Sequence, residues 1–466
     1  MPAGLSSSFC FVGGENMDLL NGNVKQIYLK YLAASFGSAL ITSVYGMVDM
    51  IMVGQYHGPS GSAAMAVIAP IWNILYSFGL LTGIGGSILF STSRGKSNNS
   101  DSGNEYFSAA ILFTALFATI LWVSLIFLED QLLLLFGADY TLLPLAKRYL
   151  IPVKFAAPVF LFTQLFSAFL RNDSNPALAT KAVMLGGVIN VAGDYLLVFT
   201  FDLGILGAGI ATVGSAIISV LVMLTHFFNA RNTLKLKRPT HLYAKAKQIL
   251  TTGFSTFFID IAMGILTMLF NQQIMKYSGS DALAIYGIIV NISTFVQCCA
   301  YGIGQAVQPI LSINFGAQKL DRIRKLLRYS FITVAVVSSV WVSLTMLLPN
   351  AFVHLFMTPT QSVLKIASMI IRCYCLSFLL LPFNIYSTYY FQSVMQPRIS
   401  FIISLSRGII ISGALILLLP VFLGGNALWM AMPVTELVVA VFIVRCMIST
   451  SKNQAVIYER DCRIHH

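Results

Sequence analysis

The chain has 466 residues, 57% of them hydrophobic and only 10% charged, with a mean hydropathy of +0.80. A soluble domain carries about 25% charged residues, so a water-soluble fold is excluded. The net charge of +12 invites a polyanion-binding reading. Most of the 29 Lys and Arg sit between or beside apolar runs, however, so the basic balance reads as topology and no nucleic-acid partner is expected.

In chain order, residues 1–16 lack the basic start and apolar core of a signal peptide, and Met17 is a plausible alternative start before the helix-entering segment Asn23–Leu32. Apolar runs near the roughly 20 residues needed to cross a bilayer follow at 28–54, 63–92, 106–128, 150–170, 177–201, 204–229, 250–276, 283–313, 328–349, 364–394, 399–423 and 426–448. These predict an all-α integral membrane protein of twelve transmembrane helices, with the lipid bilayer as its solvent. The seven Cys show no metal-ligand spacing and read as buried small hydrophobes. His57, His226, His241 and His354 lie in loops or near helix ends, and no metalloprotease, nucleophile-elbow or P-loop pattern occurs, so neither an enzyme nor direct ATP drive is expected.

The basic residues fall on one side. Residues 231–247 hold Arg231, Lys235, Lys237, Arg238, Lys245 and Lys247, and residues 319–328 hold Lys319, Arg322, Arg324, Lys325 and Arg328. The opposite loops have Lys147 and Arg148 as their main pair. Lys and Arg mark the cytoplasmic side, which predicts a multi-pass protein of the cell membrane with both termini inside.

Three segment pairs repeat in order at an offset of roughly 220 residues: 80–96 with 299–319, 132–150 with 351–371, and 169–190 with 390–411, the last aligning Pro176 with Pro397. Each unit therefore holds six helices in the same orientation, related by an axis along the membrane normal with a cavity between them. The predicted divisions are a tail 1–23, a first lobe 24–230, a basic linker 231–248, a second lobe 249–449 and a tail 450–466.

Polar groups inside these helices cluster by depth. Asp49 lies roughly 9 Å from the outer end of the first helix, and Asp194 and Thr212 roughly 12 Å from the outer ends of the fifth and sixth. Asn190 is one turn from Asp194 on the same face. A carboxylate at the centre of a membrane helix costs about 2.5–3.5 kcal/mol even on the lenient insertion scale. Two carboxylates, an amide and a hydroxyl at one depth suit a hard cation such as Na⁺, or a shared H⁺. Helix–helix hydrogen bonding accounts for Asn190 and Thr212, but poorly for two Asp. No cofactor is expected beyond the coupling ion.

The combined motifs resemble one family. VDMIMVG in the first helix, RNDSNP before the fifth, VINVAGDYL within it, GILGAGIATV opening the sixth and QPILSINFGAQK closing the eighth are similar to multidrug and toxic compound extrusion (MATE) transporters, closest to DinF-like bacterial exporters, over about residues 24–450. The resemblance implies two six-helix lobes, Na⁺- or H⁺-coupled export of organic cations or other amphiphiles by alternating access, and a cation site at Asp49, Asn190, Asp194 and Thr212. One departure stands out. The proline early in the family's first helix is replaced by Leu32-Ala33-Ala34-Ser35, and Thr252-Gly253-Phe254-Ser255 of the seventh helix also lacks it. Gly37 and Gly46 remain as points of bending.

The second half has Leu415 and Ile411 where the first has Asp194 and Asn190, so the cation site has no twin. Its own intramembrane charges are Asp260, Arg372, Arg407 and Glu436. Asp260 and Arg407 are an expected ion pair; alternatively Asp260 or Glu436 faces the central cavity and attracts a cation. Gln305, Gln308, Asn291, Tyr45, Trp72, Phe295 and Tyr389 are candidates for lining that cavity, where aromatic faces suit lipophilic cations. A monomer is expected. The competing transport reading is a flippase of a lipid-linked precursor with a related two-lobe fold, against which stand the twelve-helix length and the acidic first lobe.

Overall fold

The structure, a computed structural model, describes residues 18–464 except 97–100, 139, 141, 231 and 357–360. The side chains of Pro59, Asp101, Asp260 and Ser280, and those from 450 onward, also lie outside the described set. The expected alternative start at Met17, Arg231 of the basic linker and the Asp260 carboxylate therefore fall beyond it.

Every regular element among the described residues is helical, and twelve helices are long and apolar enough to span. They are α1 (Val24–His57), α2 (Ser60–Lys96), α3 (Ser102–Phe127), α4 (Leu143–Asn172), α5 (Pro176–Thr200) and α6 (Ile205–Phe228) in the first lobe. The second lobe has α7 (Leu242–Tyr277), α8 (Asp281–Gly316), α9 (Leu320–Leu347), α10 (Gln361–Ser393), α11 (Pro397–Leu423) and α12 (Gly425–Ser449). The apolar runs located all twelve. They missed the short helices Glu129–Leu135 and Pro349–Phe356, which occupy equivalent connections in the two lobes. At about 1.5 Å per residue neither approaches the ~30 Å of hydrocarbon, so both are connecting elements rather than spans. The last helix continues to Ile464, through the segment expected to be a tail from 450.

Local chemistry fixes the boundaries. α1 begins at Val24 because the Asn23 side chain accepts from the backbone N–H of Lys25 at 3.0 Å and of Gln26 at 3.4 Å. α5 and α11 open on Pro176 and Pro397, whose missing N–H costs nothing in a first turn. Two residues before each proline the chain takes a left-handed conformation, at Ser174 (φ 61°) and Met395 (φ 59°). The sequence repeat thus reproduces a backbone turn. Without a proline, α1 runs unbroken for 34 residues.

The lobes meet at the end that carries the basic loops. A Cβ on Gly253 of α7 would stand 2.0 Å from the Leu81 carbonyl oxygen of α2, and one on Gly316 of α8 2.2 Å from the Thr92 oxygen. Only glycine permits so close a backbone approach. From this end, interlobe contacts extend to the Ser43–Cys298 hydrogen bond and the Phe78–Phe257 ring contact. One cavity lies between the lobes at the level of Ser43 and Cys298, and a larger one lies within the first lobe.

The linker between lobes lies against the first lobe in extended form. Backbone N–H groups of Thr233, Lys235, Lys237 and Thr240 donate to Asp173, Asn104, Ser108 and Glu105 at 2.8–3.0 Å. Asp173 also accepts from Arg94 at 3.0 Å and pairs with buried His226 at 2.8 Å.

Candidate functional site

Four helices of the first lobe converge on one polar cluster. Asp49 on α1 is 5% exposed, and Asn190 and Asp194 on α5 are fully buried. Tyr149 of α4 donates its O–H to Asp49 Oδ2 at 3.0 Å and lies 3.4 Å from Thr212 Oγ1 of α6. Asn190 Nδ2 donates to Thr212 Oγ1 at 3.3 Å, and that hydroxyl in turn donates to the Ala208 carbonyl at 2.9 Å. The four residues grouped by depth therefore stand together.

The cluster is short of donors. Asp49 Oδ1, Asn190 Oδ1 and both carboxylate oxygens of Asp194 are buried without a hydrogen-bond partner. Each such acceptor costs about 1–3 kcal/mol if left so. An oxygen-only set from two helices, two of its members carboxylates, fits a hard cation or protons. Asp194 is also the last residue before α5 widens into a π-helical segment, Tyr195–Thr200. Such bulges are frequent at functional sites and change which way the following side chains point.

Asp49, Tyr149 and Thr212 open onto a cavity of about 420 Å³, walled further by Tyr45, Trp72 and Gln164. Trp72 stands edge-on to Phe160 with centroids 4.5 Å apart and to Tyr149 at 6.4 Å. Towards the basic end this cavity shares Thr42, Tyr76 and Gln164 with a smaller one of about 80 Å³ between the lobes, which Ser38, Arg171, Tyr301 and Gln305 complete.

The cavity candidates divide. Tyr45 and Trp72 line the large cavity and Gln305 the small one. Gln308 lines neither; its amide is engaged with that of Asn172. Tyr389 is 1% exposed and packs against the backbone of Gly304. Asn291 is exposed and donates back to the Gly287 carbonyl at 2.9 Å, Phe295 is half-buried, and neither belongs to these two cavities. Glu436 does not attract ligand from a cavity wall: it is fully buried, accepts from Arg407 Nε at 2.7 Å and from Asn384 Nδ2 at 2.6 Å. Arg407 of α11 is thus bonded by Glu436 of α12; its expected partner Asp260 lies outside the described side chains. Leu415 and Ile411 pack against apolar core, so the polar cluster of the first lobe has no counterpart at these positions.

Tyr149 escaped sequence reading because a tyrosine near a helix end looks like an interfacial anchor. The depth rule would have found it: it is the sixth residue after Leu143, as Asp49 is the eighth before His57.

The MatE family model matches residues 34–196 and 255–416, one match in each lobe. The chain belongs to this family of membrane transporters. It is 25% identical over 396 residues to the multidrug export protein MepA of Staphylococcus aureus, covering 84% of this chain and 86% of that one. To MepA of Staphylococcus saprophyticus it is 23% identical over 378 residues, covering 80% and 82%. Among solved structures it is similar to the outward-facing conformation of a multidrug resistance MATE family transporter (TM-score 0.86, 18% identity, 94% and 99% coverage). It is equally similar to a MOP superfamily transporter from Pyrococcus furiosus (TM-score 0.86, 19% identity, 94% and 99% coverage). The two-lobe, twelve-helix fold is therefore that of the MATE transporters.

Proposed function

We propose that the protein is a secondary active efflux antiporter of the cell membrane that exports organic cations and other amphiphiles in exchange for inward-moving H⁺ or Na⁺. The observation that carries the reading is the set of orphan oxygens on Asp49, Asn190 and Asp194, buried beside a cavity lined with aromatic side chains. A buried carboxylate pair with three of its four oxygens unpartnered is stabilised when a proton or cation is taken up, and the cavity is large enough to bring an amphiphile against the same wall. Tyr149 and Thr212 hold Asp49 and Asn190 in place; Asp49 and Asp194 take the ion. Export by the MepA relatives agrees in direction.

The basic loops face the cytoplasm in this reading, with both termini inside and the protein working as a monomer. The closed, glycine-lined end then faces inward and the cavities face out. An unbroken α1 puts the moving part elsewhere than a proline hinge: the lobes separate and rejoin at the glycine contacts. Drug efflux from everted vesicles under an imposed Na⁺ gradient or pH gradient, applied separately, tests coupling. Export under one gradient and none without it supports antiport; equal export under neither gradient overturns it.

A further inference from the structure

Three arginines in the protein interior differ in one respect. Arg94 bonds Asp173 at 3.0 Å and Arg407 bonds Glu436 at 2.7 Å. Arg171, near the basic end of α4, is 7% exposed and has no carboxylate within ion-pair distance among the described residues. Its Nη2 donates to Ser38 Oγ at 3.2 Å, and its Nε is buried with no partner. The side chain lines the small cavity between the lobes, with Ser38, Gln164, Tyr301 and Gln305 around it.

A guanidinium keeps its charge at any physiological pH, so it does not escape burial by losing a proton. Leaving it in a closed space without a counter-charge is expensive. Its planar fork of donors matches a carboxylate, which takes two parallel N–H bonds. The amide of Gln305 and the hydroxyl of Ser38 add neutral hydrogen-bonding groups to the lining of the same cavity. Thr42, Tyr76 and Gln164 wall both the small and the large cavity, so a molecule with an anionic end and an apolar body reaches both by displacing these side chains.

We propose that Arg171 anchors the carboxylate of an amphiphilic substrate, whose body lies in the aromatic cavity above. The inference rests on the efflux reading and narrows its substrate class: zwitterionic and carboxylate-bearing amphiphiles bind in preference to purely cationic ones. Asp49 and Arg171 then hold opposite ends of one path. Eleven residues of α1 separate Asp49 from Ser38, about 16 Å along the helix.

The test uses a rhodamine as its free acid and the same rhodamine as its ethyl ester, which share the cationic ring system and differ in one negative charge. Fluorescence polarisation on the purified full-length protein reads both affinities. Wild type should bind the free acid about tenfold more tightly than the ester, the size of one charge-assisted hydrogen-bonded contact. Arg171→Gln should erase that ratio and leave ester affinity within about twofold, while Arg171→Lys should keep part of it as a point charge. Benzoate should displace the free acid and not the ester from wild type, a measurement that stands whether or not the variants fold. Ester binding with no preference for the acid in wild type, or a preference that survives in Arg171→Gln, overturns the inference and leaves the efflux reading intact. Absence of binding by either dye overturns both.

Discussion

Asn172 and Gln308 join their side-chain amides head to head across the two lobes. Asn172 Nδ2 donates to Gln308 Oε1 at 3.0 Å, and Gln308 Nε2 donates to Asn172 Oδ1 at 3.1 Å. Ser91 donates to the same Asn172 oxygen at 2.6 Å. Both amides are almost wholly buried. The pair lies one residue from Arg171 and towards the seam where Gly316 meets Thr92 and Gly253 meets Leu81. Opening the basic end therefore breaks matched polar contacts and glycine contacts together, which favours two discrete states over a gradual yielding.

The glycine seam gives the first prediction. Gly253→Leu or Gly316→Leu puts a branched side chain where a Cβ alone meets a carbonyl oxygen at 2.0 or 2.2 Å. Overpacking of this kind costs about 1–3 kcal/mol or more, all of it in the closed state. Each variant should reach the membrane folded yet lose efflux by at least about tenfold. Asn172→Ala and Gln308→Ala should each weaken efflux less, and the double variant by less than the sum, because each single change strands the other amide. Wild-type efflux by Gly316→Leu at equal expression would show that the seam does not have to close.

The polar cluster gives the second. Asp49→Asn and Asp194→Asn keep shape and remove charge, and each should abolish gradient-driven export while leaving folded protein in the membrane. Tyr149→Phe removes only the O–H that bonds Asp49 at 3.0 Å. A loss of one such bond to a charged group is about 1.5–3 kcal/mol, so efflux should fall tenfold or more without vanishing. Thr212→Ala should do least, since water replaces one neutral ligand. Transport assays in vesicles at matched expression rank the four; normal rates from either Asp variant would remove the ion site from this cluster.

Much of this was legible in the sequence, for physical reasons that differ by element. Spans are set by the bilayer, so a count of apolar residues located α1 to α12. The repeat was legible because Pro176 and Pro397 each open a helix after the same left-handed turn. The depth of Asp49, Asn190, Asp194 and Thr212 followed from helical rise alone. Partner choice was not legible. Arg407 stands in a π-helical segment, Ser406–Ile410, and bonds Glu436 of α12, a pairing that no pattern of residue types announces. Gln308 looked like a cavity residue because an amide in an apolar helix serves a ligand or another helix equally well, and its partner Asn172 lies 136 positions away. The short helices Glu129–Leu135 and Pro349–Phe356 leave no mark in the sequence because neither is long enough to stand out by periodicity.

Topology gives the third prediction. Lys235 is exposed on the linker, whose backbone is tied to Asn104 at 3.0 Å. With the basic end cytoplasmic, a membrane-impermeant lysine reagent should leave Lys235 unlabelled in intact cells and label it after lysis, as mass spectrometry of the linker peptide would show. Labelling from outside would invert the protein and place the carboxylate cluster towards the cytoplasm.

The fourth prediction concerns how ion and drug exclude each other. Asp49 is at once a wall of the large cavity and a member of the cation cluster, with Tyr149 and Thr212 bridging the two roles. An ion taken up by Asp49 or Asp194 removes negative charge from that wall and draws α1, α4, α5 and α6 around it. A ligand shifts a conformational balance only through its differential affinity for the two states. Drug and ion must therefore disfavour each other, and by reciprocity each lowers the affinity of the other by the same factor. With a coupling of about 1–3 kcal/mol, the Kd for a cationic dye on purified protein should rise about 5–150-fold at saturating ion. If the ion is Na⁺, raising Na⁺ at constant pH produces the rise. If it is H⁺, lowering the pH does so, because protonation neutralises the Asp49 carboxylate that faces the dye. Asp194→Asn should flatten the dependence in either case, since one of the two acceptors is then neutral in all conditions. A wild-type Kd unchanged by both ions, measured with the ester dye that carries no carboxylate of its own, would rule out direct competition at the Asp49 wall.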